Sequence, residues 1–165
     1  MVQTNHESTI EEKLRLLGIS LEKPSLSAGS YVPVIKTGNL IFVSGQLPVE
    51  LGSNPLRVKF AGKVGRDISI DDGRNAAKLC VINALAHLKA ILANLDEIRR
   101  FVKLSCFINC EATFTNHPEV INGASDFLLN LFGEKGRHAR VAVGMNSLPF
   151  DSAVEIDFIV EVDST

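Results

Sequence analysis

Two ionisable side chains sit inside apolar, β-prone runs close to the C-terminal end. Arg140 lies within Ala139-Arg140-Val141-Ala142-Val143-Gly144, and Glu155 within Val154-Glu155-Ile156-Asp157-Phe158-Ile159-Val160. A guanidinium presents a planar fork of donors matched to a carboxylate. A half-buried glutamate can position or deprotonate a water. The polar segment around Leu148-Pro149 reads as a turn. It predicts an antiparallel strand pair with Arg140 opposite Glu155 to Asp157, at cross-strand or diagonal distance. The same pattern also describes a plain ion pair at a sheet edge. By period-two alternation Asp157 and Glu161 share a face with Glu155, so three carboxylates compete for any role there.

A second segment lies near the other end: Ala28-Gly29-Ser30-Tyr31-Val32, then Lys36-Thr37-Gly38-Asn39-Leu40-Ile41-Phe42-Val43-Ser44-Gly45-Gln46-Leu47-Pro48. Gly38-Asn39 between two β-prone runs predicts a hairpin, because both residues tolerate positive φ.

These segments must be positioned by the rest of a 165-residue chain, the size of one ordinary domain with a single core. A formal net charge of −2, without a Lys/Arg block, argues against a nucleic-acid footprint. No apolar run reaches the length of about 18 residues needed to span a membrane. The N-terminus lacks the layout of a secretory signal. Cys80, Cys106 and Cys110 are odd in number and lie in apolar surroundings, as expected of reduced core thiols in a cytoplasmic protein. His6, His87, His117 and His138 are scattered without metal-ligand spacing, so no metal is expected.

The periodicity predicts a short amphipathic helix over Thr9 to Leu17, capped by Ser8 or Thr9. Val49 to Lys59 reads as a surface loop and Phe60 to Gly65 as a weak strand. Ile70 to Leu95 is the clearest helix, capped by Ser69 or Asp71, with Ala77, Val81, Leu85, Leu88 and Leu92 at three- and four-residue steps. Ile98 to Cys110 predicts a central strand in which Val102, Leu104, Cys106 and Ile108 alternate with Lys103, Ser105 and Phe107. Pro118 to Phe132 predicts a second long helix, ended by Gly133 and Gly136. Two helices cover only one face of such a sheet. The other face is left apolar, and self-association is the economical way to bury it.

With those elements in place, the two polar segments resemble the RidA family, also called YjgF or L-PSP. The family signature is roughly G-P-Y-x-x-x-x-x-x-G-N-x-I-x-x-S-G-Q-I-P near the start, and A-R, a short strand, L-P and V-E-I-E near the end. Tyr31, Gly38-Asn39, Ser44-Gly45-Gln46, Arg140 and Glu155 keep that spacing, and the resemblance covers about residues 29–162. It implies an α+β, chorismate-mutase-like fold: a mixed sheet with two main helices on one face, the sheets of three copies packing into a barrel. Residues 1–25 are then an N-terminal extension with a short helix, and 26–165 the RidA-like domain.

The resemblance further implies a cofactor-free enamine/imine deaminase that yields 2-oxo acids and ammonia in a cleft between neighbouring subunits. Arg140 would hold the substrate carboxylate and Glu155 the attacking water. Tyr31 would stand near the site mouth, or serve only as a core or interface tyrosine. Ser44 and Gly45 would border the pocket, and Asn122 would face the cleft from its helix. Ala142 would offer its backbone N–H to the carboxylate. The expected partners are a small carboxylate-bearing imine or 2-oxo acid and two further copies of the chain, with neither nucleic acid nor membrane.

Val141 and Ala142 stand where the family's deaminases usually carry small polar residues, and Ser30 replaces the proline of G-P-Y. These departures suggest a divergent branch acting on a different, less polar or bulkier imine. They also motivate an alternative, a non-catalytic homotrimer that binds small carboxylates as a sensor. The ribonuclease activity attached to the family by name finds no basic-aromatic patch in this sequence.

Overall fold

Val154–Val162 forms the spine of the sheet, strand β5, because its residues alternate buried and half-buried without interruption. Its apolar residues Val154, Ile156, Phe158, Val160 and Val162 all point to one side and are buried. The computed structural model describes residues 9–21, 24 and 29–163. Within it β5 pairs antiparallel with β2 (Leu40–Gln46) on one flank and with β3 (Ile98–Asn109) on the other. Strand β1 (Val34–Thr37) completes one edge and β4 (Ala139–Met145) the other, giving the order β1-β2-β5-β3-β4.

The hairpin between β1 and β2 forms as the sequence predicts, with Gly38 alone taking the left-handed conformation, at φ 58°. Asn39 ties this turn to the spine: its amide donates to Glu161 and its carbonyl accepts from Val162 N–H.

The expected pairing of the two C-terminal runs does not occur. Strand β4 pairs with β3 in parallel, and β3 separates it from β5. Parallel neighbours need a crossover, and helix α3 (His117–Phe132) supplies it between β3 and β4. The segment after β4 then carries the chain past β3 to the middle of the sheet. Phe150 and Asp151 in that segment both hold positive φ (56° and 55°) around a 3-10 turn at Pro149–Asp151. β5 is thus the central strand, and β3 lies second from an edge.

Helix α2 (Ile70–Lys89) and α3 lie on the face where the β5 apolar residues point. Ser69 caps α2 by accepting from Asp72 N–H; such caps contribute about 1 kcal/mol. The helix ends at Lys89, short of Leu95. A separate 3-10 turn, Leu95–Glu97, begins where the Glu97 carboxylate accepts from Asn94 N–H. The two helices cross in direct backbone contact, since a Cβ at Gly123 would overlap the Arg74 carbonyl. Helix α1 (Thr9–Leu16) buries Ile10 and Leu14 in the same core, and Lys13 Nζ donates to the Leu131 carbonyl. Ser8, one of the two expected caps, lies outside the described residues.

Phe60 to Gly65 is not a strand. Gly62 and Gly65 hold φ of 108° and 85°, and the segment makes only isolated bridges, Ala61 to Ser152 and Val64 to Ile68 and Cys110. A bulge between Phe101 and Lys103 also expels Val102 from the β3 alternation, leaving it exposed.

Among the described residues, the other sheet face carries no helix. Ile35, Phe42, Val141 and Val143 stand exposed there, among the half-buried Phe107 and Ile159. Among the described residues, no helix is long and apolar enough to cross a membrane.

Candidate functional site

The residues singled out above fall into two clusters, one at the β2–β5 pair in the middle of the sheet and one at the β4 edge. The first surrounds Glu155. Strand β2 bulges here: Val43 is level with Phe158 and Gln46 with Ile156, so Ser44 and Gly45 together face Asp157. Bulges re-aim side chains beside sites. At this one Gly45 leaves the space that the Glu155 carboxylate fills, since a Cβ there would overlap Oε1. Ser44 Oγ donates to the Val32 carbonyl, and Ser44 N–H to that of Pro33, which fastens the segment bearing the exposed Tyr31 beside the bulge.

Glu155 is half-buried on the helix-free face, and burial, with the Asp157 carboxylate beside it, holds its carboxyl above the usual glutamate range. A carboxyl raised in this way holds a proton more readily than an exposed glutamate, which suits it to proton exchange with a ligand or water. Glu161 is otherwise engaged: it pairs with Arg100 at 3.2 Å and accepts from Asn39.

The second cluster surrounds Arg140 on β4. Arg140 is level with Leu104 and, through it, with Phe158, and so projects to the helix face. Its Nη1 donates to Ser125 Oγ at 2.9 Å and its Nη2 to the Pro118 carbonyl at 3.4 Å. Pro118, Asn122 and Ser125 follow one another at four and three residues on α3, so all three line its stripe toward β4. Ala142 shares the Arg140 face by period two, and both are half-buried. Among the described residues no carboxylate stands within ion-pair distance of Arg140. A half-buried cation held only by neutral acceptors has its remaining donors free for an anion.

The structure therefore brings Ser44, Gly45 and Glu155 together, with the backbone that follows Tyr31 fastened beside them, and separately gathers Arg140, Asn122 and Ala142 at the β4–α3 seam. It does not bring Arg140 to Glu155. Glu155 is level with Phe107 and Val143 and points to the opposite face. Two strand spacings and three residues of rise, each about 10 Å, separate the two backbones. The expected cross-strand contact fails because β3 is inserted between the strands, and with it fails the reading of these residues as a simple ion pair.

Two residues around Arg140 escape a motif-based reading. Ser125 touches the guanidinium, and His138 Nε2 lies 2.9 Å from Ser125 Oγ. The available signal was spacing: His138 precedes Arg140 by two residues on one strand, and Ser125 follows Asn122 by three on one helix. A further pair, Cys110 Sγ and His117 Nε2, sits 3.6 Å apart over Gly144 and borders a cavity of about 290 Å³. Burial raises the Cys110 thiol and pushes that of Cys106 up to about 12, which keeps both protonated.

Comparison with known proteins places these features in a wider group. Residues 11–162 match the family model described as "YjgF/chorismate mutase-like, putative endoribonuclease". The match begins inside α1 and takes in every strand. Protein TCP17 of Trypanosoma cruzi is 39% identical over 156 residues, covering 94% of this chain and 95% of that one. Among solved structures, Atu1372 of Agrobacterium tumefaciens, of unknown function, is 46% identical with a TM-score of 0.85, covering 94% of this chain and 93% of the other. A Shewanella oneidensis protein described as a putative endoribonuclease is 30% identical with a TM-score of 0.87, covering 94% and 100%. On these matches, and on the fold that carries them, this chain belongs to the YjgF/RidA family.

Proposed function

We infer that the protein is a cofactor-independent deaminase of reactive enamines and imines derived from amino acids, acting as a homotrimer whose sites lie between copies. The observation that carries this reading is Arg140, half-buried and, among the described residues, hydrogen-bonded to the neutral oxygens of Ser125 and Pro118 with no carboxylate in ion-pair reach, so that its charge awaits an anionic ligand. A 2-imino acid places a carboxylate next to an electrophilic C=N carbon, and a guanidinium can hold the first while leaving the second exposed.

Water then adds to the C=N carbon as Glu155 takes its proton. Glu155 passes that proton to the nitrogen, then takes the hydroxyl proton of the carbinolamine and delivers it to the amine, so that ammonia leaves as the C=O of the 2-oxo acid forms. The raised carboxyl of Glu155 suits this exchange. Because Arg140 and Glu155 point to opposite faces, a complete site needs the Arg140 edge of one copy and the Glu155 cluster of another. The helix-free apolar face offers the surface that such copies would bury. Ala142 in place of a polar residue favours an imine with an apolar side chain.

The test generates imines from small, branched and aromatic amino acids with an amino-acid oxidase and follows their loss by semicarbazide trapping. Wild type should accelerate the loss of at least one imine, and Arg140→Ala should abolish the acceleration. Glu155→Gln should keep 2-oxo acid affinity and lose turnover. A wild type that binds pyruvate without accelerating any imine would instead make the protein a carboxylate sensor.

A further inference from the structure

Arg140 does not stand alone at the seam between β4 and α3. Its Nη1 donates to Ser125 Oγ at 2.9 Å, Ser125 Oγ lies 2.9 Å from His138 Nε2, and His138 Nδ1 lies 2.7 Å from the Gly136 carbonyl. The proton directions in this chain are determined. A carbonyl oxygen has no proton to give, so His138 Nδ1 carries one and donates it to Gly136. Nε2 is then the acceptor in neutral imidazole, and the Ser125 hydroxyl proton points to it. That leaves the lone pairs of Ser125 Oγ facing Arg140.

The far end of the chain is fixed. Gly136 is buried with its Cα against the α3 backbone, so closely that a Cβ would overlap the Leu128 carbonyl. The imidazole is also kept neutral: burial lowers its affinity for a proton, and the Arg140 charge lowers it further against the opposing Gly136 hydrogen bond.

We propose that His138 and Ser125 are positioning residues for carboxylate binding, forming a rigid hydrogen-bonded relay from the Gly136 carbonyl that sets the orientation of the Arg140 guanidinium. This deepens the deaminase reading and rests on it for the role of Arg140. The mechanism is entropic. An arginine side chain has many rotamers, and a guanidinium already aimed at the ligand loses less freedom on binding. The relay acts on ligand capture rather than on the attacking water, which belongs to the Glu155 cluster.

The experiment measures pyruvate and 2-oxobutyrate affinity by calorimetry, beside imine hydrolysis, in the intact protein. Ser125→Ala and His138→Phe should each weaken binding about tenfold and raise KM alike, with kcat within about twofold. His138→Gln, which can keep an acceptor near the Nε2 position, should restore most of the affinity. The double variant Ser125→Ala/His138→Phe should bind no worse than Ser125→Ala alone, since both break one chain. Nitrogen-15 spectra of the wild type should show His138 as the Nδ1-protonated tautomer. A different tautomer, additive losses in the double variant, or unchanged affinity in Ser125→Ala would each overturn the relay while leaving the deaminase reading in place. A wild type that neither binds 2-oxo acids nor hydrolyses imines would remove both.

Discussion

Arg140 and Glu155 project from opposite faces of one sheet, with the whole of β3 between their strands. Arg140 reaches the α3 seam and Glu155 faces the helix-free side, beside the β2 bulge. A guanidinium and a carboxylate so arranged leave each other's charge uncompensated within one copy. Each is available to a ligand or to a second copy of the chain.

Gly45 and Glu155 make a sensitive test of the first cluster. The atom nearest a new Cβ at position 45 is the far end of the Glu155 side chain, which can swing away cheaply. Gly45→Ala should therefore leave the melting temperature nearly unchanged. Displacing the carboxylate should still cost about a hundredfold in kcat/KM. A fully active variant would show that Glu155 does not act from its observed position.

The pH profile follows from the direction of the Glu155 shift. Burial, then Asp157, raises its carboxyl, and the group must be ionised to take a proton from water. The acid limb of kcat/KM should lie above the ordinary glutamate range, and Glu155→Gln should remove it with a loss of about 10²–10⁴-fold. For stability the sign is reversed. The raised value favours folding fully below the ordinary glutamate pKa, and that contribution disappears as pH rises through the raised one. Glu155→Gln should consequently melt higher than wild type at neutral pH.

The helix crossing gives a purely structural prediction. Gly123 touches the Arg74 carbonyl, a backbone atom that cannot rotate aside. Gly123→Ala should cost about 1–3 kcal/mol of stability, read by chemical denaturation. Equal stability would mean that α2 and α3 can separate without loss.

Assembly can be tested at Val143, which is 39% exposed on the helix-free face. Charge there should prevent burial of that face. Val143→Lys should therefore sediment as a folded monomer without imine hydrolysis. A monomeric variant that retained full activity would place the site within one copy.

Helices α2 and α3 and the Gly38-Asn39 hairpin were legible in the sequence, because their signals are local: a 3.6-residue apolar period, a Ser69 cap, a left-handed glycine. The partner of β4 was not. Two apolar runs either side of Leu148-Pro149 look like a hairpin, and nothing in their alternation reveals that β3 enters between them. That single insertion reverses the geometry of the candidate site, since it decides which charged residues share a face. Spacing along one element survived better. Gly45 beside Glu155, and Asn122 on the stripe toward Arg140, follow from the strand and helix periods once the elements are placed. In the sequence His138 reads as one of four scattered histidines, because its link to Arg140 runs through Ser125 on a different element.

The most direct test of a site shared between copies is complementation. Arg140→Ala and Glu155→Gln, each inactive alone, would be co-expressed and the mixed oligomers assayed for imine hydrolysis. A site built from the Arg140 edge of one copy and the Glu155 cluster of another predicts recovery to about a quarter of the wild-type rate on random mixing, since one particular chain is needed on each side. No recovery, from oligomers shown to contain both chains, would contradict it.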